Sequence, residues 1–367
     1  MGGVGDRDRG EAGGVGIADG GRLLTYSPAV TLVPTYECFN RCSYCNFRVE
    51  PGGDRWLPLD VAAERLKSLQ GQGIAEILIL SGEVHPASAR RGEWFTHLYN
   101  LCGLALSLGF LPHTNAGPLT RSEMGALGSV NGSMGLMVEQ VTPALLGTVH
   151  RHAPSKVPSV RLEQLEMAGE LKIPFTTGLL IGLGETWADR AETLGAIAAS
   201  HGRHGHIQEV IVQPYLPGTR QVGSAPGCDR AALLETVALA REILPPEVVV
   251  QVPPNLLGDR GTLLAAIAAG ARDLGGIGPV DEVNPDYGHV SPTQLQTWLA
   301  EEGWTLQPRL AVYPQYDGWV SGAVRPVLAA WRSRLAAAEI TGPVPGPRLG
   351  PTVGSATAPA TDAMRFH

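Results

Sequence analysis

The sequence is poor in cysteine and has no excess of positive charge. It also lacks any long uninterrupted apolar run. Five cysteines in 367 residues give no paired framework, which fits a reducing compartment rather than a secreted disulfide scaffold. A net charge of -7 argues against a nucleic-acid partner, which calls for a basic face. The longest apolar stretches, such as PFTTGLLIGLG, are broken by glycine and too short to cross a bilayer, so no membrane association is expected. The opening MGGVGDRDRGEAGGVG has no apolar h-region, so a secretory signal is not expected and a cytoplasmic location is. No G-x-G-x-x-G turn follows the first strand candidate, which weighs against an open doubly wound nucleotide-binding sheet. An apolar fraction of 44% still suffices for a large core, in one big domain or two ordinary ones.

Three of the five cysteines, Cys38, Cys42 and Cys45, fall within eight residues, CFNRCSYC. Three thiolates can hold three irons of a 4Fe–4S cubane, cysteine being the usual protein ligand of such clusters. The fourth iron is then free of protein and becomes a reaction site. A structural zinc site normally draws four ligands, often as two Cys-x2-Cys pairs. Inert buried thiols have no reason to gather at ligand spacing. Cys102 sits in an apolar helical run and reads as core, and Cys228 lies alone in a Gly/Pro-rich loop.

Residues 1–22 are Gly-rich and polar, and residues 341–367 are rich in Pro, Gly, Ala and Thr. Both are expected to be disordered tails, leaving residues 23–340 as the folded domain. Within it, apolar or β-branched runs bounded by turn residues read as strands. They are AVTLVPT, AEILILSG, GFLPHTN, GSMGLMVEQ, PFTTGLLIG, IQEVIVQPY, EVVVQVPP and RDLGGIGPV. Amphipathic segments near residues 59–66, 187–201, 229–244, 261–271 and 324–338 read as helices. Eight strand–helix units predict an α/β fold, a (β/α)8 TIM-type barrel; an open barrel of six units is the alternative. In a barrel the site lies at the C-terminal ends of the strands. The cysteines follow the first strand directly, so their loop should lie at the barrel mouth. The N-terminal residues and the loop VEPGGDRW (residues 49–56) are expected outside the chamber.

The cysteine spacing resembles that of the radical S-adenosylmethionine (SAM) superfamily. The resemblance implies two cofactors, a 4Fe–4S cluster held by Cys38, Cys42 and Cys45, and SAM chelated at the open iron and cleaved to a 5'-deoxyadenosyl radical. It also implies SAM contacts. Ser81, Gly82 and Glu83 end the second strand, where members carry a Gly-Gly-Glu-like turn that engages the SAM amine through a charge-assisted pairing; a plain β–α turn is the alternative. Glu139 resembles an acid that contacts SAM. Arg161 resembles an arginine that pairs with the SAM carboxylate, or is a surface helix arginine. Gly182 and Glu185 belong to GLLIGLGE, which resembles a G-x-I-x-G-x-x-E strand whose edge packs on adenine. Tyr44 is the aromatic position of the cluster motif, beside adenine in relatives.

A closer resemblance covers residues 28–319. CFNRCSYCNFR, PHTNAGPLT, GLMVE, HRHAPSK, RLEQLEMAGELKIPFTTGLLIGLGET, HIQEVIVQPYLPGTR, VVVQVPPNL, DLGGIGPVDEVNP and VYPQY together are similar to the CofG-type 7,8-didemethyl-8-hydroxy-5-deazariboflavin synthase family. Thr35-Tyr36-Glu37 and the turn SGEVHP depart from the commoner wording of that family. The resemblance implies a carbon–nitrogen lyase of deazaflavin coenzyme biosynthesis. A CofH-type companion enzyme joins a tyrosine-derived hydroxybenzyl group to 5-amino-6-ribitylaminouracil; this enzyme closes the adduct to the deazaflavin and releases ammonia. A low-potential electron donor is implied. One cysteine triplet means the companion is a separate protein. Uracil and ribityl groups need amide and hydroxyl partners, and the strand ends offer His113, Asn115, Gln213, Tyr215, Gln251, Asn255 and Asn284, unless these asparagines merely form turns. His150, Arg151, His152 and Lys156 form a basic cluster that could hold a carboxylate or orient a helix. Two other readings share the cysteines: a CofH-like or menaquinone-pathway radical SAM enzyme, and a non-catalytic Fe–S electron carrier.

Overall fold

The computed structural model describes residues 21–221, 223 and 225–341. Strands alternate with helices: β1 (Leu23–Leu32), α1 (Leu59–Leu69), β2 (Glu76–Leu80), α2 (Arg91–Ser107), β3 (Leu111–Asn115) and α3 (Arg121–Gly128). Next come β4 (Ser133–Gly135), α4 (Pro158–Glu170), β5 (Phe175–Ile181), α5 (Trp187–His204), β6 (Ile207–Pro214) and α6 (Arg230–Ile243). The described chain ends with β7 (Val249–Gln251), α7 (Arg260–Ala269), β8 (Asp273–Ile277), α8 (Pro292–Ala300), β9 (Thr305–Pro308) and α9 (Arg325–Thr341). Strands β1 to β8 pair parallel in chain order, and β8 returns to β1. The sheet is therefore a closed eight-stranded barrel, and the open six-unit alternative is excluded.

Side-chain alternation explains which face goes where. In β2, EILIL, Ile77 and Ile79 are fully buried against the helix layer, whereas Glu76, Leu78 and Leu80 line the barrel interior. In β6, Val210 and Val212 pack outward and Glu209, Ile211 and Gln213 face inward. This is the period of two of a pleated strand. Strand β5 is buried along its whole length, as expected of a parallel strand covered on both faces. The helix that follows it starts at a reciprocal capping box of Thr186 and Asp189 and stops at Gly205 in the left-handed region, both common end signals.

The structure departs from expectation at several elements. The first strand begins at Leu23, earlier than AVTLVPT implied, because its first half carries a ninth strand: β9 pairs with Leu23–Tyr26 outside the closed circle. TLQP has no apolar alternation, and such short polar edge strands give little sequence signal. Neither β9 nor α8 was foreseen. The fourth strand is only three residues, and the rest of GLMVEQ runs beside β5 with an isolated bridge from Glu139 to Leu179. Of the two expected loose tails, residues 1–20 and 342–367 lie outside the described residues. Thr341 is the last residue of α9, and the side chain of Arg22 donates to the Glu302 carbonyl at 2.5 Å.

After β9 the chain closes the N-terminal end of the barrel. Arg309 reaches inside and donates from Nε to Asp273 at 2.7 Å and from Nη2 to Glu209 at 2.7 Å. Two interior side chains, Ser133 and Gln208, donate to the Ala311 carbonyl at 2.6 and 2.9 Å. Glu209 and Asp273 are buried, and a buried charge that loses its partner is costly. We expect Arg309→Ala to lower stability by about 3–5 kcal/mol, read by urea unfolding, and a loss below about 1 kcal/mol would show that the plug is ornamental.

Candidate active site

The loop between β1 and α1 carries the three cysteines and has little regular structure. Backbone hydrogen bonds to neighbouring segments hold it. Phe39 N–H donates to the Glu83 carbonyl at 3.0 Å, Arg41 N–H to that of His152 at 2.7 Å, and Ser43 N–H to that of Val149 at 3.1 Å. Asn40 ties the loop twice: its Nδ2 donates to Glu83 Oε2 at 2.8 Å and its Oδ1 accepts from Ser155 N–H at 3.1 Å. Gly82 allows the second strand end to approach, since a Cβ there would lie 2.1 Å from the Glu37 carbonyl oxygen. Glu37 is buried and accepts from Gly52 N–H, Trp56 Nε1 and Arg90 Nη1. The loop 49–56 thus wraps an acid on the outer side of the cysteine loop, and none of its residues lines the barrel cavity.

Cys42 is buried, and Cys38 and Cys45 are partly exposed. Burial pushes the Cys42 thiol up to about 12, with Lys156 opposing and Glu139, Cys45 and Cys38 adding to it; burial also raises Cys38. The three sulfurs feel one another's charge. Among the described residues no three His, Cys, Asp or Glu side chains converge on a point that one metal ion would occupy. Three thiolates on one loop are the donor set of a cluster in which each thiolate binds its own iron. Coordination would deprotonate these thiols outright. Cys102 is buried in α2 against Thr114 and Asn131, and Cys228 precedes α6 with its sulfur on the Asp229 carbonyl.

Beside the cysteines lies a buried ionic network. Arg161, with 2% of its side chain exposed, donates from Nη2 to Glu83 Oε1 at 3.1 Å and from Nε to the Ser155 carbonyl at 2.8 Å. It is therefore no surface arginine. Glu139 accepts from Tyr44 Oη at 2.5 Å, contacts His150 Nε2 at 3.2 Å and pairs with Lys156. Its φ of 64° lies in the left-handed region, an unfavourable backbone for glutamate of the kind found at functional sites. Burial pushes the Glu139 carboxyl up, but Lys156, His150 and Arg161 outweigh it and hold it well below the usual carboxylate range. Of the basic cluster after β4, His150 and Lys156 join this network, while Arg151 and His152 are exposed.

Not every expected residue faces the chamber. Glu185 folds back, accepting from Gly182 N–H and Leu183 N–H at 2.8 Å each and pairing with Arg190; its carboxylate is spent on the turn. Ser81 is likewise committed, donating to the Gly82 carbonyl and accepting from Trp94 Nε1. Tyr215 does not line the barrel cavity. It packs with Tyr44, Leu180 and Leu183 in a small cluster, its hydroxyl on Gln221. The other substrate-side candidates, His113, Asn115, Gln213, Gln251, Asn255 and Asn284, all line one cavity of about 200 Å³ inside the barrel. Unforeseen residues share it: Glu76, Thr176, Glu209, Asp281, Glu282, His289 and Arg309. Inward register on AEILIL and IQEVIV was the available signal for the first and third of these. A larger cavity, about 450 Å³, opens between the loops at the opposite end of the barrel and α9. It lies on the stability face of such barrels, whereas the smaller cavity is lined by the strand ends Asn115 and Gln213 and is the candidate site.

A closed barrel with a thiol-bearing first βα loop defines a radical SAM fold, and the radical SAM superfamily model matches residues 32–197. Solved barrels agree at the level of fold: the [FeFe]-hydrogenase maturase HydG of Carboxydothermus hydrogenoformans superposes with a TM-score of 0.66 at 19% identity, over 88% of this chain and 79% of that one. Closer relatives are named 7,8-didemethyl-8-hydroxy-5-deazariboflavin synthase. That of Trichormus variabilis is 60% identical over 85% of this chain and 92% of its own length. That of Synechocystis sp. is 60% identical over 81% and 95%, and that of Gloeobacter violaceus 57% over 87% and 99%. The chain belongs to the 7,8-didemethyl-8-hydroxy-5-deazariboflavin synthase family of radical SAM proteins.

The Glu139 network gives a stability prediction. A carboxyl held low in the folded state contributes stability that is present above its unfolded value, about 4.3, and is lost as pH falls further. Glu139→Gln should cost about 3–5 kcal/mol at neutral pH by stranding Lys156, and should flatten the loss of stability below about pH 4.3. Denaturant titrations at several pH values read both effects; an unchanged acid limb would show that Glu139 carries no buried charge.

Proposed function

We propose that the chain is the radical SAM enzyme that closes the hydroxybenzyl–ribityluracil adduct to 7,8-didemethyl-8-hydroxy-5-deazariboflavin, with loss of ammonia. The observation that carries this reading is the placement of six amide or imidazole side chains around one barrel cavity whose mouth holds the thiol loop, in a chain 60% identical to named synthases. Cys38, Cys42 and Cys45 would hold a 4Fe–4S cluster, and Glu83 with the Gly82 backbone, Arg161, Glu139 and Tyr44 would surround SAM. When bound, cluster and SAM supply a primary carbon radical, the hard chemistry of the reaction.

The protein's share is placement and shielding. Buried Arg161 and Lys156 offer positive charge for a carboxylate, and Glu83 and Glu139 offer negative charge for an amine, each fixed by a neighbour of opposite sign. Tyr44 and the end of β5 present an apolar edge suited to adenine. The amides of Asn115, Gln213 and Gln251 have no hydrogen-bond partner among the described residues and can serve as donor or acceptor to uracil and polyol groups. Enclosure in the barrel excludes water and oxygen and holds the target C–H bond close. A CofH-type companion would supply the adduct and a low-potential donor the electron. Neither nucleic acid nor membrane takes part in this reading; among the described residues no helix is long and apolar enough to span a bilayer. The oxygen sensitivity of an open cluster places the enzyme in the cytoplasm.

Anaerobic reconstitution tests the reading. The holoprotein given SAM, reductant and the companion's product should yield 5'-deoxyadenosine and a fluorescent deazaflavin, and Cys42→Ala should lose both along with bound iron. Deazaflavin absent despite SAM turnover would refute the substrate assignment. Adduct made from tyrosine and the diaminouracil alone would assign the companion's reaction instead. A reduced-cluster EPR spectrum indifferent to SAM would mark an electron carrier.

A further inference from the structure

The cavity floor gathers the acids Glu76 and Glu209 beside Asp273. Arg309 is the cation there, and four of its five N–H groups are engaged: two bonds go to Asp273, one to Glu209 and one to the Leu310 carbonyl. Glu209 also accepts from Thr176. Glu76 stands apart from this arrangement. It is buried, its Oε2 accepts from Ser27 at 2.5 Å, and it has no basic partner within ion-pair distance among the described residues.

His113 supplies the second, independent observation. Its Nδ1 lies 2.7 Å from Ser133 Oγ, and that hydroxyl donates its proton to the Ala311 carbonyl at 2.6 Å. Ser133 can therefore only accept from the ring, which puts the imidazole proton on Nδ1. Nε2 is left as a bare lone pair. The residue is 8% exposed, lines the cavity, and has no protein partner for Nε2 among the described residues. A Cβ on Gly135 would sit 2.8 Å from Nε2, so the glycine keeps the space beside that nitrogen open. Burial lowers the basicity of His113, which favours the neutral ring.

A carboxyl with no basic side chain in ion-pair reach and a lone pair without a donor, one layer apart on neighbouring strands (Glu76 pairs with Leu111, His113 with Leu78), suit a ligand that supplies a donor to each. A single hydroxyl satisfies one acceptor only. An amine with a second N–H on the neighbouring ring carbon offers a donor to each acceptor. The partnerless amides Asn115 and Gln213 lie nearer the strand ends and suit hydroxyl-rich or carbonyl groups, which both donate and accept. We propose that Glu76 and His113 Nε2 form the docking point for the diamine edge of the substrate, its 5-amine and the N–H on the adjoining ring carbon, with the other groups of the molecule directed toward the mouth. This orientation rests on the substrate class proposed above.

The test uses the anaerobically reconstituted holoprotein and two probes, 5-amino-6-ribitylaminouracil and the same compound with hydrogen in place of the 5-amine. Equilibrium dialysis should show the amine bound about tenfold or more tightly, since a site built around a donor rejects the analogue that lacks it. Glu76→Gln, which swaps a carboxylate for a near-isosteric amide, should erase the preference, and His113→Phe should weaken both probes. Equal binding of the two probes by the wild type, or an undiminished preference in folded Glu76→Gln, overturns the docking point. Should that variant not fold, the wild-type comparison decides alone. Deazaflavin formation is assayed in the same wild-type preparation. Product with equal probe binding removes only the orientation; no product from the adduct removes the function on which it rests.

Discussion

The chemistry of this chain depends on how a loop without secondary structure is held still over a barrel, and Glu83 holds it. One carboxylate oxygen accepts from Asn40 in the cysteine loop, the other from buried Arg161 of α4, and the backbone carbonyl accepts from Phe39. The cysteines are thus referenced to the second strand and the fourth helix at once. Charge-assisted bonds of this kind are stronger and more directional than neutral ones, and burial removes competing water. The first residues of the loop are fixed in the same manner from the other side by Glu37, in one of the two segments that depart from the commoner family wording.

Much of this was legible in the sequence where a residue type had one physical use. The cysteine spacing identified the loop, and eight apolar runs between helices identified the barrel. Amide side chains at strand ends line one cavity. The sequence says less where direction, not identity, decides. Glu185 and Tyr215 sit at strand ends as expected, yet one turns back to cap its own turn and the other packs sideways onto Tyr44. Glu76 and Glu209 went unnoticed because an acid inside an apolar run reads as noise until the inward register is known. The ninth strand left no pattern because a short polar edge needs none.

The interior of the barrel is divided by chemistry along its axis. Toward the mouth, amides without partners leave hydrogen-bonding capacity open to a ligand. At the base, acids, Arg309, Tyr313 and Ser133 are knitted to the segment after β9. Such a base is costly in desolvation, and it is assembled almost wholly from groups that complete one another. The two exceptions, Glu76 and His113, both line the open volume.

The cork that seals the barrel comes from residues 309–313, after every strand of the closed circle has been made. During synthesis the thiol loop therefore leaves the ribosome long before the pocket beneath it has a bottom. Until Arg309 arrives, two carboxylates face one another across a hollow with no counter-ion, which disfavours early closure. Maturation of the reactive end and completion of the chamber are thus separated in time by the order of the chain itself.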